Sequence, residues 1–409
     1  MRILLRPINL LLLAGPIGLV SERMEWGSGL TFLLLALAIV PLAGLISGFT
    51  DVLADRVGDR IGGLLEATFG NAAFIILGIL ALSQGLTEVV QASIAGALIA
   101  NTLFVLGLAF FVGTMRGKRQ QFRAETGTNY SKLLALAVVA LVLPAIAEST
   151  TPAKDMVLSK EVSIIASVVL LLLYVAYLLY DIFHLNDLEY RESHGKVLRQ
   201  NPKLNAENAP IMEYRAERDQ PQERLTASAA RREQGHEANL SPIVAILGLV
   251  AALVATVTVS EPLVQVTESL THGDAPIAFG AFQLGQLHLT KIFVGLVIIP
   301  LIGTAAEHLS ALRSAISGRT EITVAVTAGA AIQVALLAAP IFVIASLFLS
   351  PDKPFALIFT PIELAVFALA AFLFYLVTED GEGTWLEGVQ LLAFYLIFAG
   401  VAFFLKDPK

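Results

Sequence analysis

The charges in this chain fall in short bands, and between the bands lie long stretches with no Asp, Glu, Lys or Arg. Such runs cover residues 27–50, 67–87, 89–115, 162–180, 238–260 and 322–351, with shorter ones at 7–21, 133–147, 292–306, 364–377 and 389–405. About 20 apolar residues cross the hydrocarbon core of a bilayer as a helix. Several runs reach that length alone, and others reach it only by admitting one acidic residue, notably Glu307 and Glu363. The pattern predicts an all-α polytopic membrane protein with about 11 transmembrane helices. Composition agrees: 15% of the residues are charged, against roughly 25% in a soluble domain. The chain has no cysteine, which removes disulfides, thiol catalysis and cysteine metal sites. A nucleic-acid partner is disfavoured; membrane lipid and a small ligand are the partners to expect, and the oligomeric state is left open.

Basic residues set the expected orientation. With the N-terminus in the cytoplasm, 20 Lys and Arg fall on the cytoplasmic side and 7 on the other, the asymmetry that topology follows. The first run follows Arg2 and Arg6 as a signal peptide would. It holds Pro16 and has no clean small-x-small cleavage site, so a retained short helix is expected. Residues 184–240 are polar, rich in Glu, Arg, Gln and Asn, and lack apolar periodicity, which marks a solvated cytoplasmic linker. The expected organisation is an N-terminal helix and loop (1–26), a five-helix block (27–183), the linker (184–240) and a second five-helix block (241–409).

The two blocks share a motif. Gly70-Asn71-Ala72-Ala73-Phe74 is matched by Gly303-Thr304-Ala305-Ala306-Glu307 at an offset of 233 residues, and Gly96–Ala100 is matched by Gly329–Gln333 at the same offset. An odd number of crossings per block inserts the second upside down relative to the first. Inverted repeats are a mark of secondary transporters, whose sites lie near the midplane where the repeats meet.

Glu307 stands out within this frame. It follows fifteen uncharged residues and precedes five more. A carboxylate at that depth costs a few kcal/mol, so it should face a cavity or a partner. Burial opposes its charge and a bound cation favours it, and a group under both pressures can exchange a proton for a cation. Thr304, three residues earlier, is expected on the same helical face, and His308 on another. Asn71, Asn101 and Gln333 lie in apolar runs, where amide oxygens suit hard cations or join helices. Gln91 and Ser93, near a helix start, read more readily as capping or gating groups. Glu66, Glu88, Glu148, Glu261 and Glu268 lie near helix ends and are expected to be solvated. Glu363, after Pro361, is either structural or lines a path. No phosphate loop, paired metal histidines or serine–histidine constellation points to an enzyme.

These motifs resemble the calcium/proton exchanger family of the calcium/cation antiporter superfamily. The resemblance rests on Ile61-Gly62-Gly63-Leu64-Leu65-Glu66-Ala67-Thr68-Phe69-Gly70-Asn71-Ala72, on Val90-Gln91-Ala92-Ser93 with the 96–107 segment, and on Ile299-Pro300-Leu301-Ile302-Gly303 running into Ala305-Ala306-Glu307-His308. Ile332-Gln333-Val334-Ala335-Leu336 and the closing Trp385-Leu386-Glu387-Gly388 add to it. It implies one extra helix plus two inverted five-helix repeats, alternating access, no cofactor, and expulsion of cytoplasmic calcium against protons. A bacterial inner membrane is the expected location. One glutamate per repeat would carry cation and proton in turn, and Glu307 matches the second.

Phe74 stands where the first is expected. Thr304 replaces an Asn, and Ala100, Ala330 and Ala331 stand where serines are usual. With one carboxylate, a dehydrated calcium leaves a net +1 in a low-dielectric site, and calcium prefers six to eight oxygens. Calcium/proton exchange is the leading expectation. Exchange of sodium or potassium for one proton is the second, and a non-transporting binding or regulatory membrane protein is the third. Glu307, Asn71, Asn101, Gln333 and Thr304 are the expected site residues.

Overall fold

The computed structural model of the chain describes residues 7–57, 59–115, 120–149, 156–182, 240–271, 278–279, 282–283, 289–351 and 354–405. Of the 184–240 segment only Leu240 falls among them. A 3-10 turn (Pro7–Leu13) leads into α1 (Ala14–Arg23), followed by α2 (Ser28–Val57). Next come α3 (Asp59–Phe69) and α4 (Ala72–Ser83), interrupted at Gly70 and Asn71. Helix α5 (Thr87–Ile99) runs through a π-helical stretch, Ala100–Val105, into α6 (Leu106–Thr114). Helices α7 (Ala124–Ser149), α8 (Met156–Ile182) and α9 (Pro242–Thr271) follow. A rod made of α10 (Lys291–Phe293), a π stretch (Val294–Ile298) and α11 (Ile299–Gly303) breaks at Thr304 before α12 (Ala305–Ile316). Helix α13 (Thr320–Gln333) passes through a third π stretch, Val334–Ala338, into α14 (Ala339–Leu349), and α15 (Pro361–Thr378) and α16 (Trp385–Phe404) close the chain.

Among the described residues, eight helical rods are long and apolar enough to cross a membrane, and the rod bent by 62° at Thr304 makes a ninth. The other two apolar runs also fold as helix, as the 7–23 segment and as α3 with α4, but neither reaches crossing length unbroken.

The repeated motif has a structural counterpart. Helices α4 and α12 each have 12 residues, and their ends, Ala72–Ser83 and Ala305–Ile316, are offset by the same 233 residues as the motif. So are the starts of the following helices, Thr87 and Thr320. Each of these later rods also loosens into a π stretch, after Ile99 in the first half and after Gln333 in the second. Such π segments inside α-helices recur at functional sites.

The halves interlock. The long helices α2 and α9 pack side by side, α4 leans on α9, and α12 leans on α2. Small residues set the closeness, as expected where helices associate through packing rather than exclusion of water. A Cβ on Gly96 would lie 2.1 Å from the Leu296 carbonyl oxygen, and one on Gly295 would lie 2.6 Å from both the Ala92 Cβ and the Val89 oxygen. The backbones of α5 and of the 291–303 rod therefore touch. Phe342 of α14 rests its ring on Gly78 of α4, where a Cβ would fall 2.3 Å from its Cζ.

Polar contacts tie the ends of the bundle. On one side Gln120 and Gln121 pair antiparallel with Gly383 and Glu382. There Thr320 Oγ1 donates to Gln120 Oε1 at 2.9 Å, and Arg123 pairs with Glu321 at 2.9 Å. At the start of α5, Glu88 pairs with Lys291 at 3.1 Å, and Gln91 Nε2 donates to Glu363 Oε2 at 2.8 Å.

Candidate functional site

Both interruptions place polar side chains in the middle of the bundle. Asn71 occupies the first. It is fully buried, and its Nδ2 donates to Gln333 Oε1 at 2.6 Å, a bond spanning 262 residues. Its Oδ1 is left without a partner. Gly70, beside it, has no side chain to fill the space. A Cβ there would lie 3.6 Å from Glu307 Oε1 and 3.8 Å from Gln333 Oε1. Asn71, Gln333 and Glu307 thus converge around Gly70.

The second interruption supplies the carboxylate. Glu307 is the third residue of α12, just past the break, so it sits mid-rod but in the first turn of a new helix. Its side chain is half-buried, and Oε2 is buried with no hydrogen-bond partner. Thr304 lies at the break itself, fully buried; its Oγ1 donates to the Pro300 carbonyl at 2.9 Å. With that proton committed, the hydroxyl accepts from His308 Nε2 at 2.8 Å. Four residues apart, the two side chains stack on one face of the turn.

Asn101 sits in the π stretch that packs against both α12 and α13. Its Nδ2 donates to Ala97 O at 2.9 Å, its Oδ1 has no partner, and the residue is fully buried. Among the described residues six buried side-chain polar atoms lack a hydrogen bond, and three of them are Asn71 Oδ1, Asn101 Oδ1 and Glu307 Oε2. Orphaned buried oxygens are rare because each costs about 1–3 kcal/mol. Three such oxygens lie on the two helix breaks and the first-half π stretch. Gly329, one turn before Gln333, is buried, yet a Cβ there would meet nothing within 4 Å. That leaves space beside the cluster.

Phe74 is fully buried. A Cβ on Gly303 would lie 3.0–3.2 Å from the Phe74 Cδ2, Cα and Cβ, and its ring meets Phe342 at a centroid separation of 5.8 Å. It packs against the second interruption and α14, one turn beyond Gly70.

The remaining candidates sort themselves. Ser93 Oγ bonds Val90 O within its own turn. Glu363 belongs to a capping box with Thr360, and its Oε2 also accepts from Gln91, so it joins α15 to α5. Gln91 is therefore a bridging group. Glu261 is exposed and Glu66 and Glu268 are half-buried. Glu148 lies outside the residues whose side chains are described.

The family model for the sodium/calcium exchanger protein matches residues 27–183 and 244–404. The chain belongs to the sodium/calcium exchanger family. Among its relatives, a Ca(2+)/H(+) antiporter of Aphanothece halophytica is 34% identical over 96% of this chain and 95% of its own length. The Ca(2+)/H(+) antiporter ChaA of Bacillus subtilis is 33% identical over 95% of this chain and 96% of its own. The solved structure of native YfkE superposes with a TM-score of 0.73 at 30% identity, covering 97% of this chain and 100% of that one. Membership in this exchanger family places the interrupted helices in a transporter, not an enzyme.

Proposed function

We propose that this exchanger-family chain is a secondary active antiporter that moves calcium against protons, with Glu307 holding cation and proton in turn. One observation carries the reading: Glu307 Oε2 and Asn71 Oδ1 at the two helix breaks, and Asn101 Oδ1 in the first-half π stretch, are buried and unpartnered. Relatives named as Ca(2+)/H(+) antiporters over nearly the whole chain support calcium as the cargo. Asn71, Asn101 and Gln333 supply neutral oxygens, and Thr304 shapes the break. Water and backbone carbonyls complete a coordination shell that calcium needs at six to eight oxygens.

Alternating access between two inverted five-helix halves, 27–183 and 241–409, is supported by the 233-residue offset of helix ends and by the two separate family matches. The N-terminal 1–26 helix precedes them and the 184–240 segment links them. The distribution of basic residues supports a cytoplasmic N-terminus and linker in a bacterial inner membrane. Loops that this orientation assigns to one side also meet there, through Gln120 with Thr320 and Arg123 with Glu321.

A second reading, exchange of sodium or potassium for one proton, is favoured by the presence of a single carboxylate in the cluster. The test is flux in proteoliposomes under an imposed pH gradient, with calcium, manganese, sodium and potassium offered separately. Calcium-driven proton movement that Glu307→Gln abolishes is expected. Proton movement with sodium or potassium and none with calcium would select the second reading.

A further inference from the structure

Charge counting at this site leads further, and rests on the antiport reading above. The oxygens that meet around Gly70 are one carboxylate, Glu307, and the neutral amides of Asn71 and Gln333, with Asn101 buried on the following rod. Among the described residues no group of three or more His, Cys, Asp or Glu could hold a metal ion. The position related to Glu307 by the internal repeat is Phe74, wholly buried and pressed onto Gly303 and Phe342. We propose that one proton, not two, returns for each cation, so that exchange of a divalent ion carries one net positive charge across the membrane.

The count is simple. Loaded with a divalent cation, the site holds +2 and −1, a net +1. Loaded with a proton it holds +1 and −1, a net zero. One turnover therefore moves a single charge in the direction of the cation, and an inside-negative potential opposes expulsion. A second proton would need a second group that titrates with cation loading. Among the described residues, three ionisable side chains near the site have bonds of their own. His308 Nε2 bonds Thr304 Oγ1, whose own proton is held by Pro300 O; its Nδ1 can still take a proton, so His308→Gln joins Glu66→Gln in the test. Glu363 accepts from Gln91 and from the Thr360 backbone and hydroxyl. Glu88 is paired with Lys291. Glu66, four residues before Gly70, is half-buried on α3, and it receives its own arm of the test.

The experiment uses the full chain in proteoliposomes with the potential clamped by potassium and valinomycin. Internal calcium and pH are read at the point of zero net flux. One-for-one coupling predicts that at zero potential a tenfold proton gradient balances a tenfold calcium gradient, and that about 60 mV shifts the balance a further tenfold. A hundredfold calcium balance, unmoved by potential, would mean two protons and overturn the proposal; if Glu66→Gln or His308→Gln then lowered it to tenfold, the second proton would belong to the residue replaced. Phe74→Glu in a folded variant is expected to restore the two-proton, potential-insensitive balance, and unchanged coupling would overturn the role given to Phe74. If only sodium or potassium is carried, the calcium reading fails on its own; the same count then demands electroneutral exchange, which potential-dependent flux would refute. Absence of flux with every ion removes the transport reading and the coupling with it.

Discussion

Asn71 and Gln333 offer a direct test of how the halves are joined at the site. Gln333→Ala removes the acceptor of the 2.6 Å bond and strands Asn71 Nδ2 in a residue with no exposed surface. A buried donor left unmade costs about 1–3 kcal/mol. Asn71→Ala instead strands the Gln333 amide, which is half-buried and regains water, so it should cost less. In the double variant neither group is stranded. The two single costs should then exceed the double cost by about 1–2 kcal/mol, the coupling typical of residues in direct contact. The measurement is thermal or denaturant unfolding of the four proteins in one detergent, followed by tryptophan fluorescence. A coupling of 1.4 kcal/mol is a tenfold change in the unfolding equilibrium, large enough to resolve. Additivity within about 0.5 kcal/mol, or Asn71→Ala proving the costlier single change, would refute the bond and the burial assigned to it.

Other expected outcomes follow from the packing. Gly96→Ala places a methyl 2.1 Å from a backbone oxygen that cannot move without its helix; it should cost about 1–3 kcal/mol, read as a lower thermal midpoint, and an unchanged midpoint would show that α5 and the 291–303 rod are not in contact there. Glu363→Ala strands Gln91 Nε2 and the Thr360 backbone N–H. It should destabilise by about 2 kcal/mol while leaving apparent cation affinity within about twofold, and a large loss of affinity in a stable variant would put Glu363 on the ion path instead. Glu307→Gln should abolish exchange while preserving the fold, because the amide keeps the volume and removes only the charge; retained flux would move the proton site elsewhere.

Much of the architecture is legible in the sequence because hydrophobic length is a one-dimensional property. The runs at 27–50, 89–115, 238–260 and 322–351 each lie within or overlap a long helical rod. Asn71, Gln333 and Glu307 are also legible, since polar groups in apolar runs are costly unless they meet something. The bonds among them are less so. Asn71 and Gln333 stand 262 positions apart, so nothing local in the chain pairs them. Glu363 was readable after all: Thr360 and Glu363 have the spacing of a capping box, as do Thr384 and Glu387, and both boxes form. Its bond to Gln91 was not, because it joins residues 272 positions apart.

The comparison of the two halves separates what an interruption does from what a charge does. Broken helices at membrane depth are tolerated only where they line a cavity or are buried in protein, and both halves keep the break at the same repeat position. Both also keep the loosened turn on the following rod, after Ile99 and after Gln333. Only the second half keeps the carboxylate. In the first, Phe74 fills the equivalent place with packing, its ring against Phe342 and its backbone against Gly303. In the proposed site the first half therefore contributes shape and neutral oxygens through Gly70, Asn71 and Asn101, and the second contributes the charge through Glu307. A site divided in this way can still alternate between cation and proton, because that alternation needs only one group on which the two compete. What it loses is the second negative charge, and with it the means to hide a divalent ion's full charge during the crossing.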